Sequence, residues 1–207
     1  VTGSAADRDQ AQIVQAAETS VQLAEDQLGA TLAQKMVFTF IPRLLGHGGF
    51  ASEEIVISVL DRNYAGGGLA QVITHEAAHV LDAQLGGAFR PTVLVEGLAV
   101  YVAGGHFKAE PLGVRAAQLE ALGLYIPLQQ LTDNFYPSQH ETGYLEGGAL
   151  VEYLAATYGW DGFSRFYRDI PPPLEGAPAG QRQSSALDAG LRRAFGKGLA
   201  EVEADFR

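Results

Sequence analysis

Residues 72–82 read Val-Ile-Thr-His-Glu-Ala-Ala-His-Val-Leu-Asp and contain the pattern HExxH at His75, Glu76 and His79. On a helix, residues four apart lie one above the other, separated by about 6 Å along the axis and about 40° around it. His75 and His79 can therefore point both imidazoles at one ion, as the first two ligands of a tetrahedral zinc must. Glu76 is rotated by about 100° from His75, so it flanks the metal. That position suits a general base acting on water that the metal binds.

A second buried helix is predicted downstream of this motif, over residues 92–103, and Gly104 and Gly105 close it. Glu96 is the only ionisable residue in this apolar segment before Tyr101. An isolated buried carboxylate costs free energy unless it is paired or bound to a metal. We therefore predict Glu96 as the third ligand of one zinc ion per chain. The alternative that stays open is a Glu96 that caps the start of its helix.

The rest of the chain predicts a small N-terminal sheet and a mainly helical C-terminal half. Helices are predicted at 10–28, 114–122, 144–158, 185–195 and 199–206, and strands at 35–41 and 54–60. The second strand is either a sheet edge over the site, to which an extended peptide could add, or a plain core strand. Glycine-rich turns are predicted at 46–49, where we interpret His47 as a solvated histidine, and at 66–68.

We thus predict an α+β fold in a single domain, residues 1–207, divided into an α/β subdomain over 1–90 and a helical subdomain over 91–207. Its 207 residues suffice for a well-buried core. A net charge of −10 without a basic cluster argues against nucleic acid as a partner. No apolar run reaches the roughly 18 residues of a membrane span. With no cysteine, disulfides and thiolate ligands are excluded. Because the chain starts at Val1 rather than Met, we expect a trimmed or processed N-terminus.

Three motifs in order resemble those of the gluzincins, zinc peptidases with HExxH and a downstream Glu ligand. The string Glu-Gly-Leu-Ala at residues 96–99 is similar to the glutamate helix of compact bacterial peptidase MA-like proteins. Residues 144–159 resemble the helix that follows in that group, and the tail from Phe195 is similar as well. The resemblance covers residues 36–207 and implies a zincin-like fold, a zinc cofactor and a peptide or protein substrate.

Some departures from related zinc enzymes narrow the predicted activity. The Gly-x-Met-Glu-Asn motif with which aminopeptidases hold a free amine has no counterpart, so an endopeptidase is favoured. Val100 stands where thermolysin-like enzymes have an Asp. Asp82 and Leu85 stand where a metzincin needs Gly and His. The alternative function is a catalytically degenerate, peptidase-like binding module, against which the intact Glu76 argues. A metal-free structural helical domain is the second alternative.

Tyr144 is the candidate donor to the oxyanion that forms during hydrolysis. The resemblance implies this role, because alanyl-aminopeptidase-like enzymes use the Tyr of a Tyr-x-x-Gly helix in this way. Two rivals remain open. Tyr101 lies five residues beyond Glu96, about 140° around the helix from it, and is expected to pack in the core. His140 lies in a polar loop, where a solvated histidine is expected.

Overall fold

The computed structural model describes residues 4–42, 49–52, 54–59, 68–106, 111–138, 140–173 and 175–207. The predicted α+β class is confirmed: the described residues are mostly helical with a small sheet, which has three strands rather than the two predicted. Backbone contacts divide the chain into two compact units, residues 1–84 with 102–109 and residues 85–101 with 110–207. The elements of the described residues are, in order, α1 (Ser4–Leu28), β1 (Phe38–Pro42), β2 (Gly49–Ala51), β3 (Ile55–Val59), α2 (Leu69–Leu85), α3 (Thr92–Val102), α4 (Leu112–Ala121), α5 (Leu128–Asp133), α6 (His140–Tyr158), α7 (Trp160–Arg168), α8 (Arg182–Phe195) and α9 (Leu199–Phe206).

The first unit is organised around a shared core of the sheet, α1 and α2. The sheet has the order β1-β3-β2, with β1 parallel and β2 antiparallel to β3. Ile55 and Ile57 of β3 are fully buried and pack with Ala17 of α1 and Ile73 of α2. Burial of apolar area drives this assembly. A hydrogen bond from the Ser20 hydroxyl to the Ala70 carbonyl, at 3.1 Å, also joins α1 to α2.

The sheet corrects two predictions. β3 matches the strand predicted at 54–60, but it is the central strand, so the core-strand alternative is right and the edge alternative is wrong. The edge beside it is β2, which begins at Gly49, so the turn predicted at 46–49 is wrong at its last residue. β1 includes Pro42 as its last residue, which an edge strand tolerates because proline lacks only an N–H donor. His47 and residues 66–67 lie outside the described residues.

The second unit consists of α3 to α9 around a core rich in large side chains. α6 contacts α4 and α7, while α8 contacts α5, α7 and α9. Phe163, Phe166 and Tyr167 of α7 are at most 1% exposed, and the rings of Phe163 and Tyr167 stack at 5.8 Å. The short α7 therefore contributes three large, fully buried rings to the core of this unit.

α3 and α6 approach each other backbone to backbone through two glycines. A Cβ atom at Gly97 would lie 2.3 Å from the Gly147 carbonyl oxygen, and one at Gly147 would lie 2.9 Å from the Val93 carbonyl oxygen. Neither position has room for a side chain, which explains why both are glycine. The approach holds the backbone next to Glu96 against α6.

The predicted helices differ from the observed ones mainly at their ends. α1 begins at Ser4 rather than residue 10, whereas the predicted end before Gly29 is confirmed, with a φ of 63° at that glycine. α9 has the predicted bounds. α5 was missed because six residues are too few to show a helical period. None of the helices in the described residues is long and apolar enough to cross a membrane.

Candidate metal centre

Helix α2 holds both histidines and Glu76, as its periodicity predicts. It starts after Gly68, runs seventeen residues without a proline or glycine, and ends before Gly86. Its buried face includes Ile73, Ala77 and Leu81. Anchoring by these apolar residues fixes the rotation of the helix and therefore the direction in which His75 and His79 project.

The two imidazoles meet in a geometry that suits a metal. The Nε2 atoms of His75 and His79 are 3.2 Å apart, and the ring planes are nearly perpendicular, at 85°. Two nitrogens bound to one tetrahedral zinc at ordinary bond lengths lie about 3.3 Å apart. The same separation allows a hydrogen bond between the rings when no metal is bound.

Glu96 brings a carboxylate to the same place. One ligand atom each from His75, His79 and Glu96 lie within 4.8 Å of one another, and this is the one such group of three found among the described residues. Both histidines are half-buried and Glu96 is 7% exposed. Two imidazole nitrogens with one carboxylate oxygen suit zinc better than calcium or magnesium, which prefer oxygen ligands. The group could therefore hold a metal ion.

Glu76 is buried and lies against strand β2. Only 6% of the residue is exposed. A Cβ atom at Gly49 would lie 3.1 Å from Glu76 Cγ and 3.2 Å from Oε1, so the carboxylate lies beside the backbone of the edge strand. A glycine at position 49 is what allows this close approach. The sequence did not reveal this neighbour, because it depends on how β2 pairs with β3.

Glu96 has a partner that the sequence did not reveal. The Tyr136 hydroxyl donates a hydrogen bond of 2.7 Å to Glu96 Oε1. Burial of the hydroxyl, followed by this hydrogen bond and the charge of Glu96, raises the pKa of Tyr136 well above its usual value, so the phenol stays protonated and remains a donor. Tyr136 lies in the polar stretch after α5, where no periodicity marks it. Its only signal is the aromatic pair that it forms with Phe135.

The three candidate oxyanion donors have different surroundings. Tyr144 is half-buried on α6, against the apolar cluster that includes Val100 and Leu112, and its ring meets Phe135 edge-on at 5.1 Å. Tyr101 packs on the same cluster and stacks on Trp160 at 6.4 Å, so the prediction that it belongs to the core is confirmed. The side chain of His140 lies outside the described part of the structure. The role of Tyr144 stays a prediction.

No known protein-family model, curated protein or solved structure matches the chain.

Proposed function

We propose that the protein is a zinc-dependent hydrolase of peptide bonds, with the zincin-like fold and the ligand set of the gluzincins, and that it acts as an endopeptidase. The observation that carries the proposal is the approach of His75, His79 and Glu96 within 4.8 Å. The position of Glu76 adds to it, because one turn of α2 presents two ligands and a carboxylate that flanks them. A site built only to bind a metal has no need of that carboxylate.

His75 and His79 would hold the ion through Nε2, and Glu96 through a carboxylate oxygen. A zinc ion bound there would supply a Lewis acid, which polarises a carbonyl and lowers the pKa of water to about 7. Glu76 would accept a proton at its carboxylate from the attacking water and then transfer it to the leaving amine. The burial of Glu76 favours this role, because a carboxylate screened from bulk solvent keeps the proton within the site.

The edge strand supports a peptide as the substrate. Among the described residues, β2 pairs with β3 on one side and with no strand on the other. An extended peptide can add to such an edge through main-chain hydrogen bonds. Because Gly49 lies against Glu76, a peptide that pairs there would run past the proposed base. The backbone groups of β2 do not require a free amino terminus, which is consistent with cleavage inside a chain.

Tyr144 is retained in the proposal as the donor to the developing oxyanion. A donor of this kind contributes on the order of 10²–10³ in rate. Its place on α6, close to Phe135 and hence to the segment that carries Tyr136, supports this assignment.

Metal analysis and a peptide-library digest test the proposal. We expect one zinc per chain after purification without chelator, and mass spectrometry should detect cleavage of library peptides that chelator abolishes and added zinc restores. Glu76→Gln should keep the zinc and the fold but lose turnover, because an amide cannot accept the proton. Glu18→Gln, an equal change on the exposed face of α1, is the matched control and should behave as the wild type.

Two results would contradict the proposal. Substoichiometric zinc would exclude zinc as the cofactor, and a Glu76→Gln variant that cleaves peptides at the wild-type rate would exclude Glu76 as the general base. A wild type that binds one zinc but cleaves no library peptide would favour the binding-module alternative instead.

A further inference from the structure

Tyr136 combines an exposed ring with a hydroxyl that is engaged at a buried carboxylate. The residue is 67% exposed, yet its Oη lies 2.7 Å from Oε1 of Glu96, which is 7% exposed. A hydrogen bond from a neutral donor to a carboxylate is stronger than one between neutral groups. It also offsets part of the cost of burying the charge of Glu96.

The turn that carries Tyr136 is held in place by its own contacts. Phe135, at 4% exposure, anchors it in the core, and its ring lies perpendicular to that of Tyr136 at 5.5 Å. The backbone N–H and the hydroxyl of Ser138 both donate to the Asn134 carbonyl, at 2.9 and 2.7 Å. The hydroxyl of Tyr136 is therefore presented to Glu96 by an ordered turn rather than by a free loop.

We propose that Tyr136 is a positioning residue, which orients the carboxylate of Glu96 toward the metal that His75 and His79 share with it. The inference rests on the proposed function, since it takes Glu96 as a ligand. A carboxylate rotates about its last side-chain bond and can present either oxygen. With Oε1 engaged by Tyr136, that rotation is restricted, so less conformational freedom is lost when the ion binds.

A positioning role and a purely structural hydrogen bond predict different effects of removing the Tyr136 hydroxyl. Because the Tyr136 ring is largely exposed, removing only its hydroxyl changes little packing. A structural bond would therefore show in the melting temperature of the metal-free protein, whereas a positioning bond shows in metal affinity. Removing a partner of a metal ligand typically weakens metal binding by about 10–100-fold.

Zinc dissociation constants of the full chain, measured by competition with a chromophoric chelator, test the proposal. Tyr136→Phe should weaken zinc binding by about 10–100-fold while the melting temperature of the metal-free protein moves little. Tyr125→Phe is the matched control, because the Tyr125 hydroxyl donates to a carboxylate in the same way, to Glu203 Oε1 at 2.9 Å. It should bind zinc as the wild type does.

Glu96→Ala separates the inference from the proposed function. Glu96→Ala alone should weaken zinc binding sharply, and adding Tyr136→Phe to it should change nothing further, because the hydroxyl acts through Glu96. If Glu96→Ala binds zinc as the wild type does, the ligand set fails and the inference fails with it. Two results would overturn only the positioning role. In the first, Glu96→Ala weakens zinc binding but Tyr136→Phe does not. In the second, Tyr136→Phe weakens zinc binding by the same factor in the Glu96→Ala background as in the wild type.

Discussion

At the scale of single residues, two tyrosine hydroxyls have different proposed roles: one positions a metal ligand and the other donates to an oxyanion. Tyr136 reaches Glu96 from a polar turn, whereas Tyr144 lies half-buried among apolar side chains of α3, α4 and α6. A group that holds a ligand acts before any substrate binds. A group that stabilises an oxyanion acts only in the transition state. The proposed role of Tyr136 should therefore affect metal affinity, whereas the predicted role of Tyr144 should affect turnover.

Tyr144→Phe removes one hydroxyl and little volume. We expect kcat for a peptide substrate to fall about 100-fold, as for the loss of one oxyanion donor, with zinc affinity, KM and melting temperature nearly unchanged. Steady-state kinetics on a peptide identified by the library digest provide the measurement. A variant with full activity would transfer the role to another group, and His140→Ala would then be the informative change.

At the scale of elements, the approach of α3 to α6 determines where Glu96 can be. The contact passes through Gly97 and Gly147, so any side chain at position 97 meets the carbonyl oxygen of α6 itself rather than a movable side chain. A backbone carbonyl cannot move aside by changing rotamer as a side chain can, so the two helices must separate. Such a shift moves the residue next to Gly97, which is the proposed ligand.

Gly97→Ala should therefore lower both stability and metal affinity. We expect a loss of about 1–3 kcal/mol in the free energy of unfolding, as for overpacking, together with weaker zinc binding. Urea unfolding and zinc titration measure the two effects. Gly162→Ala is the control, since its Cβ would lie at an ordinary 3.4 Å from Tyr158 Cβ, and alanine within a helix adds about 0.5–1 kcal/mol. Equal effects of the two changes would refute the close-packing argument.

At the scale of the whole molecule, one buried acid makes stability depend on pH. Glu146 of α6 is fully buried, and its Oε1 accepts the Ile126 N–H at 2.9 Å, while Oε2 has no hydrogen-bond partner among the described residues. Burial raises the pKa of Glu146 from 4.5 to about 8. The hydrogen bond from the Ile126 N–H lowers this pKa, whereas the negative charges of Glu203 and Glu120 raise it further. The folded chain thus keeps a proton that the unfolded chain releases.

The sign of the pH dependence follows from that difference in proton binding. Between about pH 4.5 and 8 the folded state holds more protons at Glu146 than the unfolded state, so the free energy of unfolding falls as pH rises through this range. Across this range the titration of Glu146 lowers the free energy of unfolding by on the order of 3–5 kcal/mol.

Glu146→Gln, which resembles the protonated acid, should flatten this trend and stabilise the protein at pH 8. Urea unfolding at pH 5 to 8 provides the measurement, read as the difference between variant and wild type. Glu152→Gln, on the same helix and also an acceptor of a backbone N–H, is the control and should leave the slope unchanged. A slope that Glu146→Gln does not alter would exclude Glu146 as its source.

The features that follow from neighbours in the sequence could be predicted without a structure. His75, Glu76 and His79 share one turn of α2, so helical geometry alone places them together. The bounds of α9 and the end of α1 follow from periodicity and a closing glycine. Glu96 is an intermediate case: the cost of burying a lone carboxylate predicted it as a candidate ligand, but the sequence could not show that it belongs to the group with His75 and His79 that could hold a metal ion.

Contacts between distant segments were decided only by the tertiary structure. β3 is a central strand and β2 an edge because of strand pairing, which the alternation of side chains along one strand does not encode. Tyr136 and Glu96 are separated by 40 residues, and the turn that carries Tyr136 shows no periodic pattern. Local geometry is determined by residues a few positions apart in the sequence. The partner of Glu96 depends instead on how α3 and the segment after α5 pack in the second unit.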